Sequence, residues 1–95
     1  MRRDDAIAAL RAMKHELDAF KIVRIGVFGS TARDMAGPDS DIDILVEFEG
    51  APSYFRLAEL EAALEARLGR PIDIFTPGLV HPLLRDRIHA EAVYA

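Results

Sequence analysis

The sequence predicts one α/β domain in which about four helices cover a small β-sheet. Three segments have strand patterns, near residues 22–28, 41–48 and 72–75, and helical patterns precede, separate and follow them. The order is therefore α-β-α-β-α-β-α. With 95 residues, the chain is long enough for one core, and no internal repeat or linker divides it. We therefore expect residues 1–95 to form a single domain.

The composition indicates a globular protein and disfavours several classes of function. Hydrophobic residues make up 51% and charged residues 29% of the chain, whereas disordered chains are poorer in apolar residues. No apolar run approaches the roughly 20 residues that span a bilayer, and the N-terminus lacks the apolar segment of a signal peptide. The chain has no cysteine and a net charge of −4. We therefore expect a cytoplasmic protein without disulfides that does not bind nucleic acid directly.

The first helix and the first strand show different periodicities. Apolar residues recur every three or four positions over residues 4–20, which indicates one amphipathic helix. Either Asp4 or Asp5 is expected to cap its N-terminal end. Residues 22–28 carry apolar residues on both faces, which indicates an interior strand. Its first face is expected to hold Val23, Ile25 and Val27.

A short helix and a turn are predicted between the first two strands. Ser30 is a favourable N-cap residue, so the helix is expected over Ser30 to Met35. Residues 37–40, Gly-Pro-Asp-Ser, form a typical turn sequence. This connection is short, and the sequence leaves open whether the second strand runs parallel or antiparallel to the first.

The alternation of apolar and polar residues predicts the second strand, and a helix-capping serine, glycine and proline residues indicate where the remaining elements begin and end. Over residues 41–48, Asp41, Asp43, Leu45 and Glu47 share one face of the strand. Residues 53–68 are predicted to form a helix that begins at a serine cap and is followed by a glycine. Residues 72–75 form a short interior strand, and residues 82–94 form a last helix with proline in its first turn.

The acidic residues point to divalent-metal chemistry. Asp41 and Asp43 leave the same face of one strand, and neighbouring carboxylates repel unless a cation lies between them or one holds a proton. Asp73 has a similar apolar setting, so three carboxylates converge if the third strand lies beside the second. Oxygen ligands without His or Cys favour Mg²⁺, Mn²⁺ or Ca²⁺ over zinc. The sequence therefore predicts a site for one or two Mg²⁺ ions that bridge phosphate oxygens.

Gly29 and Ser30 provide the complementary phosphate contacts. A glycine at the end of a strand permits close backbone approach, and N–H groups at the start of a helix attract anions. Ser30 adds a hydroxyl donor, and Arg33 adds a positive charge one turn later. We therefore expect a triphosphate held by Gly29, Ser30 and Arg33 and bridged by metal to Asp41 and Asp43.

The stretch GSTARDMAGPDSDIDILVEF, residues 29–48, closely resembles the signature of the nucleotidyltransferase superfamily that includes DNA polymerase beta and kanamycin nucleotidyltransferase. This signature is Gly-Ser, ten residues, and Asp-x-Asp. The small size, the PIDIF segment around Asp73 and the ending LRDRIHAEAVYA resemble the minimal nucleotidyltransferase (MNT) proteins. The resemblance covers nearly the whole chain and implies the nucleotidyltransferase fold with a small mixed sheet.

The resemblance also implies an activity and a role for each motif residue. Members transfer a nucleoside monophosphate to a hydroxyl and release pyrophosphate. Asp41 and Asp43 would bind the two Mg²⁺ ions that hold the triphosphate. Asp73 would ligate the catalytic metal and help to deprotonate or orient the acceptor hydroxyl, while Gly29 and Ser30 would hold the β- and γ-phosphates. MNT antitoxins transfer AMP from ATP to a tyrosine of a partner HEPN-domain ribonuclease toxin, which neutralises that toxin.

Two other interpretations remain open at this point. The protein could neutralise its partner by masking it without catalysis, or it could modify a small aminoglycoside-like molecule with the help of a second helical subunit. The chain length accommodates a core and one triphosphate pocket, so the acceptor surface must come largely from another polypeptide. That requirement favours a protein acceptor. Tyr94 is expected to be a packing residue rather than a modification target.

Overall fold

The structure is a computed structural model that describes residues 2–35, 37, 40–76, 86 and 90–95. The helices with defined bounds are α1 (Arg3–Ala12), α2 (Lys14–Asp18), α3 (Gly29–Ala32) and α4 (Tyr54–Leu68). The strands are β1 (Ile22–Val27), β2 (Ile42–Phe48), β3 (Ile72–Phe75) and β4 (Val93–Tyr94). The predicted α/β class is confirmed.

The strands form one mixed sheet in the spatial order β3-β2-β1-β4. β1 pairs antiparallel with β2 and with β4, whereas β2 pairs parallel with β3. The orientation that the sequence left open between the first two strands is therefore antiparallel. β3 lies beside β2, which is the condition for the acidic residues of the two strands to converge.

The helix predicted over residues 4–20 is divided into α1 and α2. Met13 leaves the helical conformation, with φ −90° and ψ 9°, and its N–H donates to the Leu10 carbonyl at 3.1 Å. This i→i−3 bond tightens the last turn of α1 and ends it. Met13 and Leu17 are nevertheless buried, with 1% and 4% exposure. The buried apolar stripe is present, but the prediction of one continuous helix is wrong.

β1 contains a bulge that the sequence did not reveal. Ile22 pairs with Phe48 and Arg24 pairs with Glu47, so Val23 has no position of its own opposite β2. The extra residue interrupts the alternation of side chains along β1. Val23 is consequently 67% exposed, and its predicted place in a row of interior apolar residues is wrong.

The core lies between the sheet and the helices. Its buried members are Ala6, Ile7, Leu10, Met13, Leu17, Ile25, Val27, Ala32, Ile42, Ile44, Val46, Leu60, Leu64, Leu68 and Ile72. Leu45 is also completely buried, although it belongs to the opposite face of β2. Burial on both faces is typical of a central strand, and Asp43 lies on this strand.

α4 begins and ends at the predicted caps. The Ser53 Oγ accepts a hydrogen bond from the Arg56 N–H at 3.1 Å, and Gly69 adopts the left-handed conformation with φ 69° and ψ 21°. α4 has 15 residues and leads directly into β3. No helix within the described residues is long and apolar enough to cross a membrane.

The last predicted helix, residues 82–94, lies mostly outside the described residues. Ala90 and Glu91 are helical, but Val93–Tyr94 forms β4, so the helix prediction is wrong at its C-terminal end. Gly26 accommodates this strand, because a Cβ atom added there would lie 2.8 Å from the Tyr94 Cα.

Candidate active site

Asp43 and Asp73 occupy facing positions on neighbouring strands. The parallel register of β2 and β3 pairs Asp43 with Asp73 directly. Adjacent strands are about 4.8 Å apart, and paired residues point to the same face of the sheet. The structure therefore brings these two predicted residues side by side.

Within the described residues, β3 is an edge strand with β2 as its one neighbour, rather than the interior strand that the sequence predicted. Ile72 is buried whereas Asp73 is exposed. The alternation of side chains directs Asp73 away from the helix-covered face, to the face that also carries Asp43. Asp73 is thus accessible from the edge of the sheet.

Asp41 lies one residue before β2 and is exposed, whereas Asp43 is half-buried. Burial raises the pKa of Asp43, and the negative charges of Asp73 and Asp41 raise it further, whereas the positive charge of Arg33 opposes this rise. Coulombic effects of this kind require proximity. The three predicted carboxylates and Arg33 therefore share one electrostatic environment.

Metal binding by Asp41, Asp43 and Asp73 is supported by their donor atoms and charge rather than by side chains already arranged around a metal position. Within the described part of the chain, no group of three or more His, Cys, Asp or Glu residues is arranged to hold a metal ion. The predicted donors are carboxylate oxygens, which suit Mg²⁺. A cation between Asp43 and Asp73 would relieve the carboxylate repulsion that adds to the effect of burial on the pKa of Asp43. The donor set therefore fits a hard divalent cation.

Gly29 lies directly against the Asp43 carboxylate. Its φ is +62°, and a Cβ atom added there would lie 2.6 Å from Oδ2 of Asp43. The Phe28 N–H donates to the Asp43 carbonyl at 3.1 Å and holds the turn beside β2. Only glycine satisfies both the backbone conformation and the close approach.

α3 is a single turn and is shorter than the predicted helix. Phe28 is its N-cap residue, so the prediction that Ser30 occupies that position is wrong. The Ala32 N–H donates to the Phe28 carbonyl at 3.4 Å, and the N–H groups of the three preceding residues have no acceptor within α3. Thr31 is completely buried, and no described residue forms a hydrogen bond with its Oγ1. The turn therefore places polar backbone groups next to the acidic pair.

Arg33 is the C-cap residue of α3 and interacts with acids on two sides. Its Nη1 lies 3.8 Å from Oε2 of Glu91, and the side chains are 54% and 41% exposed. Its charge also acts on Asp43. An exposed ion pair contributes about 0–1 kcal/mol, so Arg33 can exchange Glu91 for another anion at low cost.

The sequence patterns did not identify Asp34, which anchors the end of α3. Its Oδ1 accepts a hydrogen bond at 3.0 Å from the N–H of Arg3, the first residue of α1. The N-cap residue of α1 is Arg2, so Asp34 supplies from outside the helix the acceptor that was expected from Asp4 or Asp5. This hydrogen bond lowers the pKa of Asp34, and the charge of Arg2 contributes. No local pattern predicts such a contact, because its partners lie 31 residues apart.

Glu47 shares a strand face with Asp43, but its carboxylate pairs with Arg24 instead of joining the acidic cluster. Nε and Nη2 of Arg24 donate to the two Glu47 carboxylate oxygens at 3.0 and 2.8 Å. The Arg24 guanidinium also lies 4.2 Å from the centre of the Tyr94 ring. Tyr94 therefore packs against Arg24, in keeping with the expected packing role, and this cluster links β1, β2 and β4.

Part of the predicted turn lies outside the described residues, namely residues 38 and 39. The Gly37 N–H donates to the Ser40 Oγ at 3.0 Å, and the Ser40 N–H donates to the Gly37 carbonyl at 3.2 Å. The Ser40 carbonyl also accepts from the Arg70 guanidinium at 2.5 Å. These bonds connect the segment before Asp41 to the start of β3.

Comparison with known proteins identifies relatives along most of the chain. The nucleotidyltransferase domain family matches residues 9–95. A Methanocaldococcus jannaschii relative, whose proposed activity is that of a protein adenylyltransferase, is 47% identical over 72 residues, which are 76% of this chain and 77% of the relative. The protein adenylyltransferase MntA of Thermococcus cleftensis is 43% identical over 86 residues, which are 90% of this chain and 87% of that protein.

Solved structures share the same fold. A structure described as a proposed minimal nucleotidyltransferase is 36% identical, with a TM-score of 0.85 over 98% of this chain and 95% of its own. A chain in a toxin–antitoxin complex with AMP-PNP is 22% identical, with a TM-score of 0.76 over 90% and 70%. A chain from the complex of a tri-AMPylated Shewanella oneidensis HEPN toxin with its MNT antitoxin is 18% identical, with a TM-score of 0.61 over 88% and 69%.

Proposed function

This chain belongs to the nucleotidyltransferase domain family and to its minimal (MNT) type, and we propose that it transfers AMP from ATP to a tyrosine hydroxyl of a partner HEPN-domain toxin. The observation that carries this proposal is the pairing of Asp43 with Asp73, with Gly29 against Asp43. The Thermococcus cleftensis relative is a protein adenylyltransferase, and the HEPN toxin in the Shewanella oneidensis complex is AMPylated. These relatives support AMP as the transferred group and a HEPN protein as its acceptor.

In the proposed reaction, the acceptor oxygen bonds to the α-phosphorus of ATP. The bond from this phosphorus to the oxygen that bridges to the β-phosphate breaks, and pyrophosphate leaves with the electron pair. The proton of the hydroxyl passes to a carboxylate or to water, and AMP stays on the partner as a phosphodiester. Asp73 is the proposed group that orients or deprotonates the hydroxyl, because its exposed position at the sheet edge is open to another protein.

Gly29 and Ser30 are the proposed contacts of the β- and γ-phosphates. Their N–H groups have no acceptor within α3, and such groups attract phosphate oxygens. Ser30 adds a hydroxyl donor. Arg33 adds a positive charge on the same short element, and we propose that it contacts the triphosphate when it releases Glu91.

Asp41, Asp43 and Asp73 are the proposed Mg²⁺ ligands, and two ions are expected. Bound Mg²⁺ would neutralise phosphate charge and polarise the phosphate that undergoes attack. Burial raises the pKa of Asp43, and the negative charges of Asp73 and Asp41 raise it further. This mutual repulsion supports the assignment, because a divalent cation would relieve it. We expect the reaction in the cytoplasm, which supplies both ATP and Mg²⁺.

The test is the transfer of label from ATP labelled at its α-phosphate to the product of the neighbouring gene, which the proposal expects to be a HEPN-domain protein. The wild type is expected to label one or more tyrosines of that partner, and chelation of Mg²⁺ should stop the reaction. The Asp41→Asn/Asp43→Asn double variant should give no label. Glu47→Gln is the matched control, because Glu47 shares the strand face with Asp43 but pairs with Arg24.

Two results would contradict the proposal: an unlabelled partner with the wild type, or equal labelling by the double variant. The same variant separates catalysis from masking. If the double variant still protects cells from the toxin as well as the wild type does, the protein acts by masking its partner. Transfer to aminoglycoside-like acceptors instead of the protein would identify a small-molecule nucleotidyltransferase.

A further inference from the structure

A groove of about 300 Å³ opens between α4 and the outer edge of β3, and we call it the edge groove. Its α4 wall is formed by Tyr54, Leu57, Ala58 and Glu61, and its β3 wall by Ile72, Asp73, Ile74 and Thr76. Asp73 therefore belongs both to this groove and to the acidic pair with Asp43. The proposed phosphate and metal contacts use no other residue of the groove.

The β3 wall of the edge groove directs backbone groups outward. The Pro71 carbonyl accepts from the Ile42 N–H at 2.9 Å, so Pro71 directs its carbonyl toward β2. Because backbone groups alternate between the two sides of a strand, Ile72 and Ile74 direct theirs away from β2. The Ile72 N–H reaches Oε1 of Glu65 at 3.5 Å. No strand in the described part of the chain pairs with this outer edge, and such edges accept an added polypeptide segment.

The polarity of the groove suits a polypeptide rather than a nucleotide. The charged residues in its lining are Glu61 on α4 and Asp73, whose carboxylate is directed to the other face of β3, and no basic residue is among the described residues that line it. Phosphate groups would therefore be repelled, whereas a neutral or basic segment is complementary. Thr76 is 8% exposed, and its Oγ1 has no hydrogen-bond partner among the described residues.

Two aromatic residues at the start of α4 lie next to the groove. Tyr54, which lines it, is 89% exposed, and the neighbouring Phe55 is 73% exposed. Large exposed apolar side chains that lie together mark interaction sites, and aromatic residues are enriched in protein interfaces. The rim of the groove therefore has the composition of a protein-binding surface.

We propose that the edge groove docks an extended segment of the acceptor protein, with one apolar side chain anchored between α4 and β3. This inference rests on the proposed function, in which Asp73 lies next to the acceptor hydroxyl. Successive side chains of an extended segment point to opposite sides. A residue next to the anchor therefore points to the sheet face that carries Asp43 and Asp73. The modified tyrosine is accordingly expected directly before or after the apolar anchor.

The test compares two arginine substitutions on α4. Ala58 and Ala66 are both exposed, but only Ala58 lines the edge groove. With the HEPN-domain partner, Ala58→Arg is expected to lower affinity about tenfold or more, which corresponds to about 1.4 kcal/mol. It should leave the affinity for a non-hydrolysable ATP analogue unchanged. Ala66→Arg should change neither affinity. Unchanged partner affinity of Ala58→Arg, or an equal loss in Ala66→Arg, would overturn the docking site.

Photocrosslinking locates the docked segment independently of affinity. With Ala58→p-benzoylphenylalanine, mass spectrometry is expected to find the cross-link in the partner within a few residues of the AMP-modified tyrosine. A cross-link confined to a distant segment of the partner would overturn the inference. If the wild type binds the partner but transfers no AMP, the proposed function fails, whereas the affinities of the two alanine variants still decide whether the groove is the docking site.

Discussion

Gly29 and Asp43 are in such close contact that a Cβ atom on Gly29 would lie 2.6 Å from Oδ2 of Asp43. The turn that precedes α3 and the carboxylate on β2 are thus packed directly against each other. The left-handed backbone at Gly29, with φ +62°, sets the direction of this turn. Because Gly29 has no side chain, the turn that carries the proposed phosphate contacts can pack directly against Asp43, a proposed metal ligand.

Gly29→Ala is expected to reduce AMP transfer about 100-fold, because displacement of a reacting group by an ångström has an effect of that order. Gly69→Ala is the matched control: Gly69 has φ +69°, but an added Cβ would meet nothing within 4 Å. Both variants should lose about 1–2 kcal/mol of unfolding free energy from the left-handed backbone. Transfer of labelled AMP and urea denaturation measure the two effects. Equal activity in Gly29→Ala and Gly69→Ala would contradict the role of this contact.

Asp34 is expected to make the stability depend on pH in the acidic range. Its hydrogen bond from the Arg3 N–H lowers its pKa below the ordinary value of 3.8. A carboxyl with a lower pKa in the folded state adds stability above the unfolded pKa, and this stability disappears as the pH falls through the folded pKa. Asp34→Asn keeps an acceptor oxygen but does not titrate. Urea denaturation at a series of acidic pH values should therefore show a smaller loss of stability in the variant, and parallel losses would contradict this assignment.

The strand part of the site could be predicted from the sequence because alternation determines which side chains share a face. Asp41 and Asp43 are two residues apart, and this spacing alone places them together. The sequence placed Asp73 in the cluster only on the condition that the third strand lies beside the second. Strand order depends on contacts between distant segments, so local patterns do not determine it. The register of β2 and β3 provides that missing information.

Several features that the sequence did not reveal depend on long-range contacts. Val93–Tyr94 lies in a stretch with a helical pattern, but Gly26 leaves room for it to pair with β1 as β4. The bulge at Val23 and the pairing of Arg33 with Glu91 likewise depend on elements that are far apart in the chain. Local periodicity contains no information on such contacts, because tertiary packing overrides local preference.

The Arg33–Glu91 pair is expected to tune the affinity for ATP. Arg33→Ala should weaken the binding of a non-hydrolysable ATP analogue about tenfold, since a charge-assisted contact to phosphate is lost. Glu91→Gln should strengthen binding by up to about fivefold, because an exposed ion pair contributes no more than about 1 kcal/mol. Isothermal titration calorimetry measures both changes.

Arg67→Ala is the control for that experiment. Arg67 forms a similarly exposed pair with Glu16, at 2.6 Å, and neither residue belongs to the proposed site. Binding of the analogue should be unchanged in this variant. An effect of Arg67→Ala as large as that of Arg33→Ala would show that general surface charge determines affinity, and that Arg33 has no specific contact with the triphosphate.

Asp43→Asn is expected to stabilise the free protein at neutral pH while it lowers AMP transfer by about 10²- to 10⁴-fold, because Asp43 is a proposed ligand of metal ions that supply several kcal/mol of transition-state stabilisation. Burial raises the pKa of Asp43, and the charges of Asp73 and Asp41 raise it further. A carboxyl with a higher pKa in the folded state binds more protons there, so stability falls as the pH rises from the unfolded pKa through the folded pKa. The amide removes this cost, and the melting temperature in the absence of divalent ions should therefore rise.

A higher melting temperature of Asp43→Asn could come from relief of carboxylate repulsion or from a change in packing, and addition of MgCl₂ distinguishes the two causes. A ligand that binds only the folded state stabilises it by an amount that grows with its concentration. The melting temperature of the wild type should therefore rise with Mg²⁺, whereas that of Asp43→Asn should change little. Asp18→Asn, at an exposed position on α2, should respond to Mg²⁺ as the wild type does. An equal response of Asp43→Asn and the wild type would exclude Asp43 as a metal ligand, because the proposed cation would then bind without its carboxylate.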